Sequence, residues 1–124
     1  MVALREVEYA GERGIELVES EVRLVAVHSI GPRIAWFGRT RTGSVLFWDA
    51  GEHRRGDWRL YGGHRLWITR PFADETYETF EPDNEPCEIR RLVGGVRITA
   101  PAGARGIEKT MVIRARGSEW TMAR

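Results

Sequence analysis

Residues 88–100 read EIRRLVGGVRITA, and this stretch decides the fold. Its centre, Leu92-Val93-Gly94-Gly95-Val96-Arg97, joins two short runs of alternating apolar and polar residues through adjacent glycines. Glycine tolerates the positive φ angles that tight hairpin turns need. The stretch therefore predicts a β-hairpin with Gly94-Gly95 as its two-residue turn.

The rest of the chain follows the same pattern, because turn residues interrupt the apolar runs before a helix-length period builds up. In the best example, Ile107, Met111 and Ile113 share one face and their polar neighbours take the other. We therefore predict an all-β protein, an antiparallel β-sandwich that forms a single domain over residues 1–124. The predicted strands are Ile15–Glu19, Val22–His28, Arg33–Gly38, Val45–Trp48, Arg65–Thr69, Glu88–Val93, Val96–Ala100, Ile107–Ala115 and Glu119–Met122.

Composition narrows the classes of function. The chain has 124 residues, 42% hydrophobic and 30% charged, which is typical of one globular domain with a real core. Nineteen Lys and Arg balance eighteen Asp and Glu without a basic patch, so nucleic acid is not an expected partner. No run approaches the ~20 apolar residues of a membrane helix, and no membrane partner is expected.

Cysteine usage and the N-terminus point to the cytoplasm. Cys87 is the only cysteine, which excludes an intrachain disulfide and fits a reducing compartment. We expect its thiol to be a small buried apolar group. The first residues, MVALREVEYAGERG, contain acidic side chains and lack the apolar segment of a secretory signal.

The last predicted strand runs to the end of the sequence with no turn behind it. A strand of this kind has an unpaired edge, and unpaired edges invite pairing with another chain. We therefore expect a homodimer through exposed strand edges.

The stretch Asp49–Asn84 is the candidate functional region, because it is long, polar and rich in tryptophan and tyrosine. Within it Gly62 and Gly63 allow a sharp turn, and His64 and Arg65 follow with hydrogen-bond donors. Trp67 offers a flat apolar face on which a sugar ring can stack. A polar edge beside an aromatic platform is what carbohydrate recognition needs.

The same residues also have structural interpretations. Trp58 and Trp67 are of a type that commonly packs in cores, and His64 alone suits a buried structural histidine. The Arg65 guanidinium is equally able to pair with Asp83 or Glu85 and hold the loop. The sequence leaves both interpretations open.

Other catalytic classes find little support. The three histidines have no metal-ligand spacing, so no metal and no cofactor are predicted. No serine lies in a Gly-x-Ser-x-Gly setting, and no phosphate-binding glycine loop occurs.

A family resemblance enters with four motifs: Gly31-Pro32-Arg33-Ile34, Val45-Leu46-Phe47, the run from Trp58 to Trp67, and Pro82-Asp83-Asn84. From about Val22 onward the chain resembles the N-terminal part of uncharacterised proteins of the galactose mutarotase-like superfamily. The resemblance implies a larger antiparallel β-supersandwich whose concave face binds a sugar. Aldose epimerases of this superfamily interconvert anomers with a glutamate base and a histidine acid and need no metal.

The resemblance implies sugar contacts at Gly62, Gly63, His64 and Arg65. The acid and base of the family normally lie beyond residue 124, so the chain is expected to bind sugar without catalysing mutarotation alone. His64 is the one candidate for a catalytic acid. The full set of predicted substrate-binding residues is Arg33, Gly62, Gly63, His64, Arg65, Trp67, Arg70 and Asn84.

Three functions are therefore predicted from different classes. The first is a carbohydrate-binding domain with a small-molecule sugar as ligand. The second is an aldose 1-epimerase-like isomerase whose site a second chain completes. The third is a structural or protein-interaction β-sandwich module.

Overall fold

The structure, a computed structural model, describes residues 2–66, 82–103, 106–116 and 119–123. Within these ranges it consists of antiparallel strands joined by turns and loops, without a helix. The strands are β1 (Ala3–Tyr9), β2 (Glu12–Glu19), β3 (Val22–Val27), β4 (Arg33–Arg39), β5 (Trp48–Arg55), β6 (Trp58–Gly62), β7 (His64–Arg65), β8 (Glu88–Leu92), β9 (Gly95–Thr99), β10 (Thr110–Arg116) and β11 (Glu119–Ala123).

Two sheets and one hairpin make up the described part of the chain. A five-stranded sheet has the order β1-β2-β3-β4-β7, a four-stranded sheet has the order β11-β10-β9-β8, and β5 pairs with β6. The predicted all-β, antiparallel sandwich is confirmed. Among the described residues, β1, β7, β8 and β11 are the outermost strands of the two sheets, and the homodimer through strand edges stays a prediction.

The main core lies between the two sheets. Alternate residues of β2, β3, β9 and β10 point inward, as a period of two requires. Burying one of the larger of these side chains stabilises the fold by about 1.5–3 kcal/mol. The buried members are Ile15, Leu17, Leu24, Ala26, Ile34, Val96, Ile98, Met111 and Ile113.

The five-stranded sheet is also covered on its other face, which we call the outer face. There Val27, Ile30 and Ala35 pack with Tyr61 of the β5–β6 hairpin and with Trp48. Burial on both faces explains why β3 reads as an almost continuous apolar run rather than an alternating one.

Two strand regions were not predicted. β1 pairs along its whole length with β2, from Ala3↔Val18 to Tyr9↔Glu12. The β5–β6 hairpin, which turns at Gly56-Asp57, lies inside the stretch interpreted as a long connection. Its residues 52–54 are exposed, so they carry no alternation that marks a strand.

Several strand boundaries differ from the prediction, and β2, for example, begins at Glu12 rather than Ile15. Residues 45–47 are not a strand, because the Ser44 hydroxyl accepts the N–H groups of Phe37 and Leu46 at 3.1 and 3.0 Å. β10 begins at Thr110 rather than Ile107. The predicted strand Arg65–Thr69 is described only in part: β7 spans His64–Arg65, and residues 67–69 lie outside the described residues.

The β8–β9 hairpin is confirmed, but its turn is Val93-Gly94 instead of Gly94-Gly95. Gly94 has a φ of 71° and supplies the turn. Gly95 belongs to β9, where an added Cβ would overlap the carbonyl oxygen of Ile113. The second glycine is therefore required by close strand packing.

Candidate functional site

The pairing of β4 with β7 separates the predicted site residues onto two faces. Ile34 lies opposite His64, and Arg33 lies opposite Arg65. Because successive side chains of a strand point to opposite faces, His64 joins Ile34 on the inner face. Arg65 joins Arg33 on the outer face.

Two glycines bring β7 to this position. Gly62 and Gly63 have φ angles of 86° and 71°, which L-residues rarely adopt. A Cβ on Gly62 would lie 2.6 Å from the carbonyl oxygen of Phe47, and one on Gly63 would overlap the carbonyl oxygen of Ile34. Both glycines therefore allow this turn to lie closer to the main chain of Phe47 and Ile34 than a residue with a Cβ could.

On the outer face Arg33 is fully buried and bonded to the fold. Its Nη2 donates to the Asp83 carbonyl oxygen at 2.6 Å and lies 3.2 Å from the Asp83 carboxylate, while Nη1 donates to the Gly62 carbonyl oxygen at 3.2 Å. The guanidinium lies 5.2 Å from the centre of the Tyr61 ring. Burial lowers the pKa of Arg33, although the Asp83 carboxylate opposes that shift.

Asp83 collects donors from three directions. Besides Arg33, its carboxylate accepts from Trp58 Nε1 at 2.6 Å and from Arg65 Nη1 at 3.1 Å. Only 2% of the Asp83 side chain is exposed. The structural interpretation of Arg65, a pair with Asp83, is thus confirmed.

Asn84 fastens the same segment to β6. Its Oδ1 accepts from the Arg59 backbone N–H at 2.6 Å, and its Nδ2 donates to the Arg59 carbonyl oxygen at 3.1 Å. The Asn84 amide therefore makes the two hydrogen bonds to the Arg59 main chain that a neighbouring strand would make. We call Arg33, Trp58, Arg65, Asp83 and Asn84 the outer cluster. Its members bond to one another and to the main chain inside the fold, although the buried Arg33 Nε has no hydrogen-bond partner among the described residues.

On the inner face an open cavity of about 260 Å³ lies between the sheets, where β4 and β7 face β11. His64 lines it, beside the aromatic side chains of Phe37 and Trp120. These two rings meet edge to face with centroids 6.1 Å apart. The complete lining is Leu24, Ile34, Phe37, Leu46, His64, Ile113, Trp120, Thr121 and Met122.

The polar groups of this lining are few. Trp120 Nε1 is buried and has no hydrogen-bond partner among the residues that the structure describes. Thr121 pairs with Arg114, so alternation directs its side chain away from the cavity and its backbone forms this part of the wall. His64 and Trp120 are therefore the polar side chains of the described lining.

Sequence reasoning found one residue of this cavity, His64. It missed Phe37, Leu46, Trp120 and Met122, which are distant in sequence and meet only when the sheets stack. Trp67 and Arg70 lie outside the described residues. In the described ranges no three His, Cys, Asp or Glu side chains gather as a metal-ligand set, and no helix is long and apolar enough to cross a membrane.

No family model, curated protein or solved structure matches this chain. The resemblance to the mutarotase-like superfamily therefore stays a prediction that rests on the motifs alone.

Cys87 gives a prediction of its own. Burial raises the pKa of its thiol to about 12, with Glu85 and Asp83 acting in the same direction and Arg33 against it. Because the thiolate is the nucleophile, a disulfide reagent at pH 8 should modify folded Cys87 about a thousand-fold more slowly than the unfolded chain. Absorbance of the released thiol, with and without guanidinium, measures both rates. Equal rates would show that the folded thiol is accessible and ionises normally.

Proposed function

We propose that this chain is a carbohydrate-binding β-sandwich domain whose ligand occupies the cavity between the sheets. The observation that carries the proposal is an open cavity between the sheets that has an aromatic wall, formed by Phe37 and Trp120, and an imidazole.

The chemistry of the lining suits a sugar ring. The C–H face of a pyranose packs on aromatic side chains such as Phe37 and Trp120, and its oxygens accept from or donate to an imidazole. The size supports a single ring, since about 260 Å³ lies just below the ~300–1,000 Å³ of pockets for larger ligands.

Binding is a better proposal than catalysis. Opening a sugar by acid–base chemistry needs a base beside the acid. His64 is a titratable side chain of the lining, but no carboxylate lines the described part of the cavity. His64 is therefore proposed as a ligand contact rather than as a catalytic acid.

The test uses the indole N–H resonances of the five tryptophans in a nitrogen–proton correlation spectrum. During titration with D-glucose, D-galactose, L-fucose and D-glucuronic acid, we expect the Trp120 resonance to shift with at least one sugar. Trp58 is the internal control, because its Nε1 donates to Asp83 on the outer face. Trp120→Phe and Trp58→Phe assign the two signals.

The variant His64→Ala should weaken the affinity for that sugar about ten-fold, the effect of losing one good hydrogen bond. Arg90→Ala, an exposed position on β8, is the matched control and should bind as the unmodified chain does. A Trp120 resonance that no sugar moves, in a folded protein, would disprove the proposal.

A further inference from the structure

The described part of the cavity wall is mostly aliphatic, which limits the hydroxyl groups that a bound sugar can pair there. Its aliphatic side chains come from β3, β4, β10, β11 and the segment before β5: Leu24, Ile34, Ile113, Met122 and Leu46. An aldohexose carries more hydroxyl groups than the two polar side chains of the described lining can pair. At least one hydroxyl therefore meets either the open mouth or an apolar wall.

A hydroxyl against an apolar wall loses its water without gaining a partner. A methyl group in the same place gains apolar contact instead. Apolar pockets discriminate by about ten- to hundred-fold against a ligand that carries an extra hydroxyl. The wall thus favours a sugar with a methyl group where common hexoses carry a hydroxymethyl group.

We infer that the ligand is a 6-deoxy sugar whose methyl group contacts the aliphatic wall formed by Leu46, Ile113 and Met122. The inference rests on the proposed function, since it specifies the ligand of the same cavity. The ring lies against Phe37 and Trp120, and its remaining hydroxyls reach His64 and the solvent at the mouth.

Calorimetric titration of the unmodified chain with matched pairs tests the inference. The pairs are L-fucose against L-galactose and 6-deoxy-D-glucose against D-glucose, which differ only in the hydroxyl at carbon 6. In at least one pair the 6-deoxy sugar should bind about ten-fold more tightly, a difference of about 1.4 kcal/mol. If the parent sugars bind equally or better in both pairs, the inference is wrong and the proposed function stands. If none of the four sugars binds, the inference is wrong, and the proposed function fails with it when D-galactose and D-glucuronic acid also leave the Trp120 resonance unmoved.

Two variants check where the methyl group lies. Leu46→Asn and the nearly isosteric Met122→Gln each add an amide to the wall, and each should reduce the preference to less than about three-fold, because the parent hydroxyl gains a partner. Val45→Asn is the control: Val45 is 77% exposed and outside the lining, so the preference should remain. Folded Leu46→Asn and Met122→Gln proteins that both keep the full preference would overturn this placement.

Discussion

Asp83→Ala is expected to lower the free energy of unfolding by about 3–5 kcal/mol, the usual cost of removing one partner from a buried ion pair. The substitution leaves the Arg33 guanidinium, which has no solvent exposure, without its carboxylate. It also deprives Trp58 Nε1 and Arg65 Nη1 of an acceptor. Urea unfolding followed by tryptophan fluorescence measures the change.

Glu85→Ala is the matched control, because Glu85 is an exposed carboxylate two positions away. Its effect should stay within about 0.5 kcal/mol. The double variant Arg33→Met, Asp83→Ala should recover part of the lost stability, since an apolar side chain removes the buried charge. An Asp83→Ala protein within about 1 kcal/mol of the unmodified chain would mean that the outer cluster does not hold β4, β6 and β7 together.

The outer cluster limits which of the predicted substrate-binding residues can be tested by replacement. Arg33, Arg65 and Asn84 belong to the outer cluster, where their polar groups bind main chain and Asp83. Loss of sugar binding in an Arg33 or Arg65 variant would therefore follow from a damaged fold as easily as from a lost contact. His64, on the other face, is the predicted residue whose replacement tests binding directly.

The sequence predicted the sheets best where one face of a strand is buried and the other is wet. In β10, Met111, Ile113 and Ala115 are buried while Arg114 and Arg116 are exposed, and this alternation is visible in the letters alone. β5 carries no such signal, because its register against β6 breaks between Trp48 and His53 and its tip is exposed.

The site was harder to predict than the sheets, for two physical reasons. His64 and Arg65 are neighbours in sequence, but a strand directs neighbours to opposite faces, so one sequence cluster became two separate sites. Trp120 and Phe37 meet through the stacking of two sheets, and no local pattern encodes that contact. The ion pair of Arg65 with Asp83 was predictable, because the candidate functional region contains both an arginine and an acidic side chain able to hold the loop.

Gly63→Ala is expected to cost about 3 kcal/mol or more in unfolding free energy, because two penalties add at one position. Gly63 has a φ of 71°, and a Cβ there would overlap the Ile34 carbonyl oxygen and lie 3.1 Å from the carbon of the same group. That group is main chain in a sheet, so it cannot move aside without separating β7 from β4.

Gly11→Ala separates the two penalties. Gly11 has a similar φ of 84°, but an added Cβ meets nothing within 4 Å, so only the conformational cost of about 1–2 kcal/mol applies. The loss of unfolding free energy in Gly63→Ala beyond that in Gly11→Ala measures the clash with β4. Because His64 follows directly, the displaced β7 should also shift the imidazole out of the cavity and abolish sugar binding in the fraction that remains folded. Equal losses of stability in the two variants would mean that β7 is not held against β4, and the inner position of His64 would then have no structural support.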